Sequence, residues 1–170
     1  KRAMAGKRDD DASSDNFTDM KRASDRETVV TRTFNAPARI VFEAWTKPEL
    51  FRRWWTPKSY GMTIHSCEID ARTGGGYKLT ISHPVHAPEP MPFFGKYVEV
   101  TPPSRLVWTN EEGGGPGPVT TVTFEERGGM TLVTLRDVYP SKEALDEAME
   151  SGATSGYSET FDQLATMLAE

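Results

Sequence analysis

The sequence is poor in the residues that build disulfides and metal clusters. Its 170 residues include a single cysteine, Cys67, and only three histidines. One cysteine excludes a disulfide within the chain, and no cluster of thiolate, imidazole and carboxylate groups has metal-ligand spacing. We therefore expect neither a metal nor another cofactor, and we expect a hydrophobic core to hold the fold together.

The chain also lacks long apolar runs and a basic character. No stretch approaches the roughly 20 apolar residues of a membrane-spanning helix. The net charge of -5 has the wrong sign for a general nucleic-acid-binding protein. We expect no membrane span and no nucleic-acid partner. Residues 1–26 contain no apolar segment of the kind that secretory signals carry, so a cytoplasmic protein is predicted.

Recognisable catalytic motifs are missing as well. The segment Thr73–Lys78 contains three glycines, but it leads into a predicted strand rather than the helix that follows a phosphate-binding loop. The segment Ser151–Ser158 has no serine centred between two glycines, as a nucleophile elbow requires. We assign no catalytic residue, and the sequence favours a non-enzymatic role without deciding the question.

Composition divides the chain at about residue 26. Residues 1–26 carry the acidic run Asp9–Asp11, several basic pairs and few apolar residues. Such a segment cannot offset the entropy cost of ordering by burying apolar surface, so we predict a flexible polar tail. Residues 27–170 are predicted to form one domain.

Hydrophobic periodicity predicts that this domain has mixed α+β structure. A strand at Glu27–Phe34 is followed by a helix from Pro37 to about Trp45, which Asn35 can cap, and by a second helix at Glu49–Trp55. Six further strands, separated by breaks that contain glycine or proline, are expected at Met62–Asp70, Gly76–His83, Phe93–Val100, Arg105–Asn110, Val119–Glu126 and Thr131–Tyr139. Because no helix separates these six strands, they should form an antiparallel meander.

The end of the chain is predicted to be helical. Ser141 is placed to cap a short helix that should break near Ser151-Gly152. A longer helix, from about Thr154 to Ala169, carries an apolar stripe made of Tyr157, Phe161, Leu164 and Leu168. A single antiparallel sheet must curl around this helix if both apolar faces are to be buried.

Several motifs in this order resemble those of one family. They are Phe34-Asn35-Ala36-Pro37, Val41-Phe42-Glu43-Ala44-Trp45-Thr46, Arg53-Trp54-Trp55-Thr56-Pro57, Asp70-Ala71-Arg72-Thr73-Gly74-Gly75, Gly95-Lys96-Tyr97, Pro103-Ser104-Arg105-Leu106-Val107 and Gly156-Tyr157-Ser158-Glu159. The chain resembles, from about Thr28 to Leu168, the activator of heat-shock protein 90 ATPase homologues within the START-like (SRPBCC) superfamily. The resemblance implies a helix-grip fold, in which a curved antiparallel sheet wraps a long C-terminal helix and leaves a cavity between them.

Aromatic residues are the candidates for lining such a cavity. The aromatic set comprises Trp54, Trp55, Phe93, Phe94, Tyr97, Trp108, Tyr157 and Phe161. All of them except Phe93 are taken as cavity candidates, and His65, in the middle of a predicted strand, is added to them. The alternative is that these rings only fill the core. Trp54 and Trp55 lie about 100° apart on a helix, so one should pack inward and the other should lie near the opening.

Three charged residues are candidates for a polar part of the cavity or for a structural ion pair. Asp70 and Arg72 are two residues apart and share one face of a strand, and Glu99 can lie across the sheet from them. In an enzyme, such a set could supply a cation and a general base.

Three functions are therefore compared. The leading hypothesis is a module that binds a small hydrophobic or aromatic molecule between the C-terminal helix and the sheet. The family resemblance gives a second, a co-chaperone-like domain that stimulates a heat-shock protein 90 homologue. The third is a cyclase- or hydrolase-type enzyme that uses the cavity, with His65, Asp70, Arg72 or Glu99 in the reaction. A monomer or a homodimer is expected.

Overall fold

The structure, a computed structural model, describes residues 17–170, so the predicted flexibility of residues 1–16 falls outside the described residues. Eight strands form one antiparallel sheet in the order β1-β2-β8-β7-β6-β5-β4-β3. Their bounds are β1 Asp19–Arg22, β2 Glu27–Phe34, β3 Thr63–Ile69, β4 Gly76–His83, β5 Ala87–Thr101, β6 Arg105–Thr109, β7 Val119–Arg127 and β8 Met130–Val138. The predicted α+β class and the meander from β3 to β8 are confirmed.

Four helices accompany the sheet in the described part of the chain. They are α1 Ala38–Thr46, α2 Pro48–Phe51, α3 Lys142–Glu150 and α4 Tyr157–Leu168, and a 3-10 turn covers Lys58–Tyr60. Ser141 caps α3 as predicted, because its hydroxyl accepts a hydrogen bond from the Ala144 amide. None of the described helices is long and apolar enough to span a membrane.

The first two helices differ in detail from the prediction. Pro37, rather than Asn35, occupies the N-cap of α1, and the Ala38 amide donates to the Glu126 carboxylate of β7 instead. The second helix ends at Phe51, so Trp54 and Trp55 lie in turns after it. A tertiary contact thus replaces the local cap that the sequence favours.

Two strands include residues for which no strand was predicted. Strand β1 lies within the segment predicted as a tail and pairs along β2, with Met20 opposite Val30. Strand β5 begins at Ala87, inside the segment predicted as a proline-rich loop, and its first half pairs with β4. The prolines of β5 are tolerated there because β6 pairs only with the second half, from Tyr97 onward.

The sheet is curved and does not close into a barrel. Register shifts interrupt β3, β4 and β5, the last of them between Tyr97 and Glu99. Such bulges bend a strand and increase its twist. At Gly95 the backbones approach so closely that a Cβ atom would lie 1.9 Å from the Thr109 carbonyl oxygen, so no larger residue fits at this bend.

Helices α1 and α4 pack on the concave face of the sheet. The predicted stripe of α4 points inward, with Phe161 and Leu164 fully buried and Tyr157 and Leu168 packed against the same core. Inward residues alternate along β8 as Thr131, Val133, Leu135 and Asp137, all of them buried. The last position of this row holds a carboxylate where a hydrophobic residue is usual.

Candidate functional site

A pocket opens between the sheet and the segment that leads into α4. Its volume is about 460 Å³. Its wall consists of Trp45, Phe51, Trp55, Thr56, Pro57, Tyr60, Met62, Ile69, Tyr77, Leu79, Ile81, Phe93, Tyr97, Trp108, Asn110, Glu112, Ser151, Gly152, Ala153, Gly156, Tyr157 and Thr160. The lining is therefore mostly aromatic and aliphatic, with a few polar groups.

The sheet supplies one wall of the pocket through the alternation of its side chains. Tyr77, Leu79 and Ile81 occupy every second position of β4 and face the same side. Tyr97 of β5 lies opposite Trp108 of β6, and the two rings are 6.4 Å apart, centre to centre. Neighbouring strands thus place a continuous row of rings along this wall.

Hydrogen bonds to α4 hold the segment from Trp54 to Tyr60 on the other side of the pocket. The Gln163 side-chain amide donates to the backbone oxygens of Trp54 and Thr56, at 3.0 and 2.9 Å. Glu159 accepts from the amide of Ser59, and Tyr60 contacts the Ser155 hydroxyl at 3.0 Å. The helix therefore positions this rim, although only part of the rim is itself helical.

A glycine allows the rim to approach α4. A Cβ atom on Gly156 would lie 2.9 Å from Cγ of Pro57. Gly152, two residues after the end of α3, has a φ of 81°, a conformation that L side chains rarely adopt. Gly152 and Gly156, together with Ala153, present little side chain to the pocket, so this side of the wall leaves the space open.

A chain of polar groups lies behind the pocket wall. The Asn110 side-chain amide donates to the Pro118 carbonyl and to the Thr120 hydroxyl, at 2.8 and 3.0 Å. The Thr120 hydroxyl donates in turn to Asp137, and the Tyr157 hydroxyl donates to the other carboxylate oxygen at 3.3 Å. Asp137 is buried. Through these hydrogen bonds it connects Asn110 and Tyr157, two residues that line the pocket.

Burial raises the pKa values of the acidic side chains in and around this hydrogen-bond network. It raises the pKa of Asp137 to about 6, although the hydrogen bonds from Thr120 and Tyr157 favour the ionised form and oppose the shift. Burial also raises the pKa of the Tyr77, Tyr97 and Tyr157 phenols well above their usual values. All three phenols therefore stay protonated at neutral pH.

Four of the predicted cavity residues line the pocket, and they are Trp55, Tyr97, Trp108 and Tyr157. Trp54 and Phe161 do not, because both are fully buried in the core, where the Trp54 indole donates to the Ala44 carbonyl at 2.9 Å. Trp54 thus packs inward and Trp55 lies at the pocket, the division that was predicted, although both residues lie in turns after α2 rather than on a helix. The remaining two candidates, Phe94 and His65, are absent from the pocket wall.

Neither Phe94 nor His65 faces the pocket, for different reasons. Phe93, not Phe94, has the same parity along β5 as Tyr97 and lines the wall. His65 is exposed and its ring lies 2.7 Å from the Ser82 hydroxyl, next to the register shift in β3. Both residues therefore lie outside the polar and aromatic surface that a bound molecule would meet.

The three charged candidates also lie apart from the pocket. Arg72 pairs with Asp70 at 3.0 Å, and both side chains are largely exposed. Glu99 pairs with Arg105 on the neighbouring strand at 3.2 Å. The structure therefore favours the structural ion pair over a polar cavity group for these residues, and it does not bring them together with His65 as an enzyme would require.

A family model described as "Activator of Hsp90 ATPase homolog 1-like protein" matches residues 35–169. The chain belongs to this family. This match confirms the resemblance that was inferred from the motifs. The observed START-like helix-grip fold is the one that the resemblance implies. No curated protein matches the chain.

Solved structures of bacterial proteins share the fold. A Rhodobacter sphaeroides protein is 21% identical, with a TM-score of 0.79, and the match covers 89% of this chain and 97% of that one. A Staphylococcus epidermidis protein is 28% identical, with a TM-score of 0.73, over 88% of this chain and 93% of that one. An AHSA1-like protein from Aeromonas hydrophila is 17% identical, with a TM-score of 0.65, over 84% and 95%.

Sequence reasoning missed several pocket residues of this family member. Tyr77, Leu79 and Ile81 could have been found from the two-residue alternation of β4, and Phe93 from its parity with Tyr97. Asn110 and Glu112 follow the end of β6, where no periodic pattern orients a side chain. Their contribution depends on how the chain turns after the strand.

The chemistry available in the pocket is limited. Among the described residues that line it there is no histidine, lysine, arginine or cysteine, and Glu112 is the one carboxylate. Within residues 17–170, no three histidine, cysteine, aspartate or glutamate side chains lie close enough to hold a metal ion. Cys67 is half-buried outside the wall, and burial raises the pKa of its thiol. The arrangement offers a ligand apolar contact and hydrogen bonding.

Proposed function

We propose that this protein is a binding module that holds one small hydrophobic or aromatic molecule in the pocket between the sheet and the segment before α4. The observation that carries the proposal is the pocket wall, which joins the rings of Trp55, Tyr97, Trp108 and Tyr157 around about 460 Å³. Ligand pockets of proteins commonly have volumes of about 300–1,000 Å³ and mainly apolar linings.

The composition of the wall supports binding rather than catalysis. Aromatic faces provide large contact areas at a low cost in side-chain entropy, and the polar groups behind them are held in fixed positions by hydrogen bonds. The network from Asn110 through Asp137 to Tyr157 orients two polar groups at the wall. A bound molecule would therefore meet an ordered surface.

Filling the pocket with a side chain tests this proposal. Ala153→Phe places a ring at the pocket, whereas Ser158→Phe places the same ring on the exposed side of α4, away from the wall. The probe is N-phenyl-naphthylamine, an uncharged aromatic dye whose fluorescence rises in apolar surroundings. The wild-type protein and Ser158→Phe should bind one dye molecule per chain with saturation, and Ala153→Phe should weaken binding at least about 10-fold.

Two results would count against a ligand-binding module. One is a dye signal that rises without saturation, which indicates unspecific adsorption to apolar surface. The other is a saturable signal that Ala153→Phe and Ser158→Phe change equally, because the dye then binds elsewhere. Circular dichroism of both variants must match that of the wild type, so that loss of binding cannot be attributed to unfolding.

Family membership favours a second candidate function, co-chaperone-like stimulation of a heat-shock protein 90 homologue. This function predicts that adding the protein increases ATP turnover by a bacterial heat-shock protein 90 homologue in a concentration-dependent manner. An unchanged turnover rate at saturating protein would reject it. Cytoplasmic location and the monomeric or homodimeric state stay predictions.

A further inference from the structure

The described residues of the pocket wall carry charge of only one sign, which is negative. Glu112 contributes a carboxylate, and none of the described wall residues carries a positive charge. Within residues 17–170 no lysine or arginine forms an ion pair with Glu112. Its carboxylate accepts one hydrogen bond, from the Phe94 amide at 3.2 Å. The negative charge at this end of the pocket is therefore not neutralised by the protein.

The Tyr77 and Tyr157 hydroxyls and the Asn110 side-chain amide of the wall donate to the protein itself. The Tyr77 hydroxyl donates to the Thr109 carbonyl at 2.8 Å, and the Tyr157 hydroxyl donates to Asp137. The Asn110 side-chain amide donates both of its hydrogens, one to the Pro118 carbonyl and one to the Thr120 hydroxyl. Because each phenol has one hydrogen and each side-chain amide has two, these groups can offer a ligand only oxygen acceptors.

The remaining hydroxyls of the wall change this balance little. The Thr160 hydroxyl donates to the Tyr157 carbonyl, and the Ser151 hydroxyl donates to the Ala148 carbonyl. The Tyr60 hydroxyl is shared with Ser155. Tyr97 keeps a hydroxyl hydrogen, and burial holds its pKa above the usual range. The donors that remain, such as the Tyr97 hydroxyl and the buried indole N–H of Trp45, which has no partner among the described residues, are all uncharged. The wall thus offers a cation a carboxylate and oxygen acceptors, whereas it offers an anion only uncharged donors.

Carboxylates and aromatic faces converge at the same end. Burial raises the pKa of the Tyr77 phenol, and the negative charges of Glu112, Glu111 and Asp137 raise it further. The rings of Tyr77, Tyr97 and Trp108 lie 6.0 to 6.4 Å apart, centre to centre. The face of an aromatic ring attracts a cation, so the wall and the carboxylate favour the same charge.

From this geometry we infer that the ligand of the pocket is a hydrophobic amine: an aromatic or aliphatic body seated on the rings, with its ammonium group directed to Glu112 and the oxygen acceptors beside it. The inference rests on the proposed binding function. An anionic molecule of the same shape, such as an aromatic or fatty carboxylate, would meet an unpaired carboxylate and no donor cation, so the pocket discriminates against it.

Three probes of one shape test the charge preference. They are naphthylethylamine, naphthylethanol and naphthylacetate, which are cationic, neutral and anionic at pH 7, and isothermal titration calorimetry at low salt gives their affinities. The wild-type protein should bind the amine more tightly than the alcohol and the alcohol more tightly than the carboxylate. Because Glu112 is exposed to solvent, the expected advantage of the amine over the alcohol is about 5-fold.

The matched variants are Glu112→Gln and Glu111→Gln. Both remove one negative charge, but Glu111 accepts a hydrogen bond from the Thr109 hydroxyl and is absent from the wall. Glu112→Gln should remove the advantage of the amine and leave the affinity for the alcohol unchanged. Glu111→Gln should retain most of the advantage, because only the general negative potential of the protein is reduced.

The outcomes separate this inference from the proposed function. If naphthylacetate binds as tightly as naphthylethylamine, the hydrophobic-amine inference is overturned while the binding module stands. The same holds if Glu112→Gln and Glu111→Gln weaken binding of naphthylethylamine equally. If none of the three probes binds, and N-phenyl-naphthylamine also gives no saturable signal, the binding module and the inference are overturned together.

Discussion

Two halves of the interior use the same aromatic residue types with different results. In the packed half, around Phe34, Trp54 and Phe161, the rings fill the space between α1, α4 and β2, and Trp45 lies between this half and the pocket wall. In the open half, around Tyr77, Tyr97 and Trp108, a pocket of about 460 Å³ remains. The number of aromatic residues therefore does not decide whether an interior is solid or hollow.

The difference lies in what faces the rings. In the packed half, rings from different elements meet each other: the Trp45 and Trp54 centres are 4.7 Å apart, and those of Phe34 and Phe161 are 5.6 Å apart. In the open half, the rings of Tyr77, Tyr97 and Trp108 come from neighbouring strands of one sheet wall. Trp55 and Tyr157 add rings from other elements, but the segment before α4 contributes Gly152, Ala153 and Gly156, which have no side chain or only a methyl group to place in the space. A pocket arises where large residues face small ones.

Truncating one ring in each half gives the largest expected effect. Phe161→Ala leaves a cavity in the packed half, where the surroundings cannot collapse, and should lower the free energy of unfolding by about 4 kcal/mol. Trp55→Ala removes a half-buried ring that already borders open space, so its loss should cost only about 1–2 kcal/mol. Urea denaturation followed by circular dichroism measures both. Equal losses would contradict the division into a packed and an open half.

Asp137 marks the boundary between the halves and should give a pH-dependent effect. Its pKa is about 6 in the folded protein, against an ordinary value of 3.8. The folded state therefore binds this proton more tightly than the unfolded state does. Protonated Asp137 therefore contributes to the free energy of unfolding, and this contribution is fully present below pH 3.8. It is lost as the pH rises through 6, by about 3 kcal/mol in total.

Asp137→Asn isolates that contribution, because the amide cannot ionise and can still contact the hydroxyls of Thr120 and Tyr157. The free energy of unfolding of the variant, relative to the wild type, should rise by about 2 kcal/mol between pH 4 and pH 8, because a small part of the change already occurs below pH 4. Other titrating groups are common to both proteins and cancel in the difference. A difference that stays constant over this range would show that Asp137 ionises as freely in the fold as in the unfolded chain.

The sequence predicts the packed half better than the open half. Period-two alternation in the strands and the four-three-four spacing of Tyr157, Phe161, Leu164 and Leu168 identify which side chains point inward. The pattern does not show, however, whether an inward side chain fills the core or borders the pocket. Trp54 and Phe161 point inward and fill the core, whereas Trp55 and Tyr157 border the pocket. The distinction depends on tertiary contacts with the small residues before α4.

The differences at the edges of the sheet have local causes. Strand β1 consists of Asp19-Met20-Lys21-Arg22, whose polarity is typical of a mobile segment and equally of an edge strand. The prolines in the first half of β5 signal a loop, yet they fit a strand that lacks a second neighbour there. In both cases composition describes solvent exposure correctly but does not reveal strand pairing.

The smallest effect is expected from the Asp70–Arg72 pair, which belongs to neither half. Its two side chains are largely exposed, and an exposed ion pair contributes little because water screens it and its side chains lose entropy. Asp70→Asn should change the free energy of unfolding by less than about 0.5 kcal/mol and leave dye binding in the pocket unchanged. Glu99→Gln, which breaks the comparable pair with Arg105, is the matched control. Should Asp70→Asn alone abolish dye binding, Asp70 would regain the role in the pocket that its position in the sequence first indicated, and the wall would have to extend beyond the glycine turn that follows β3.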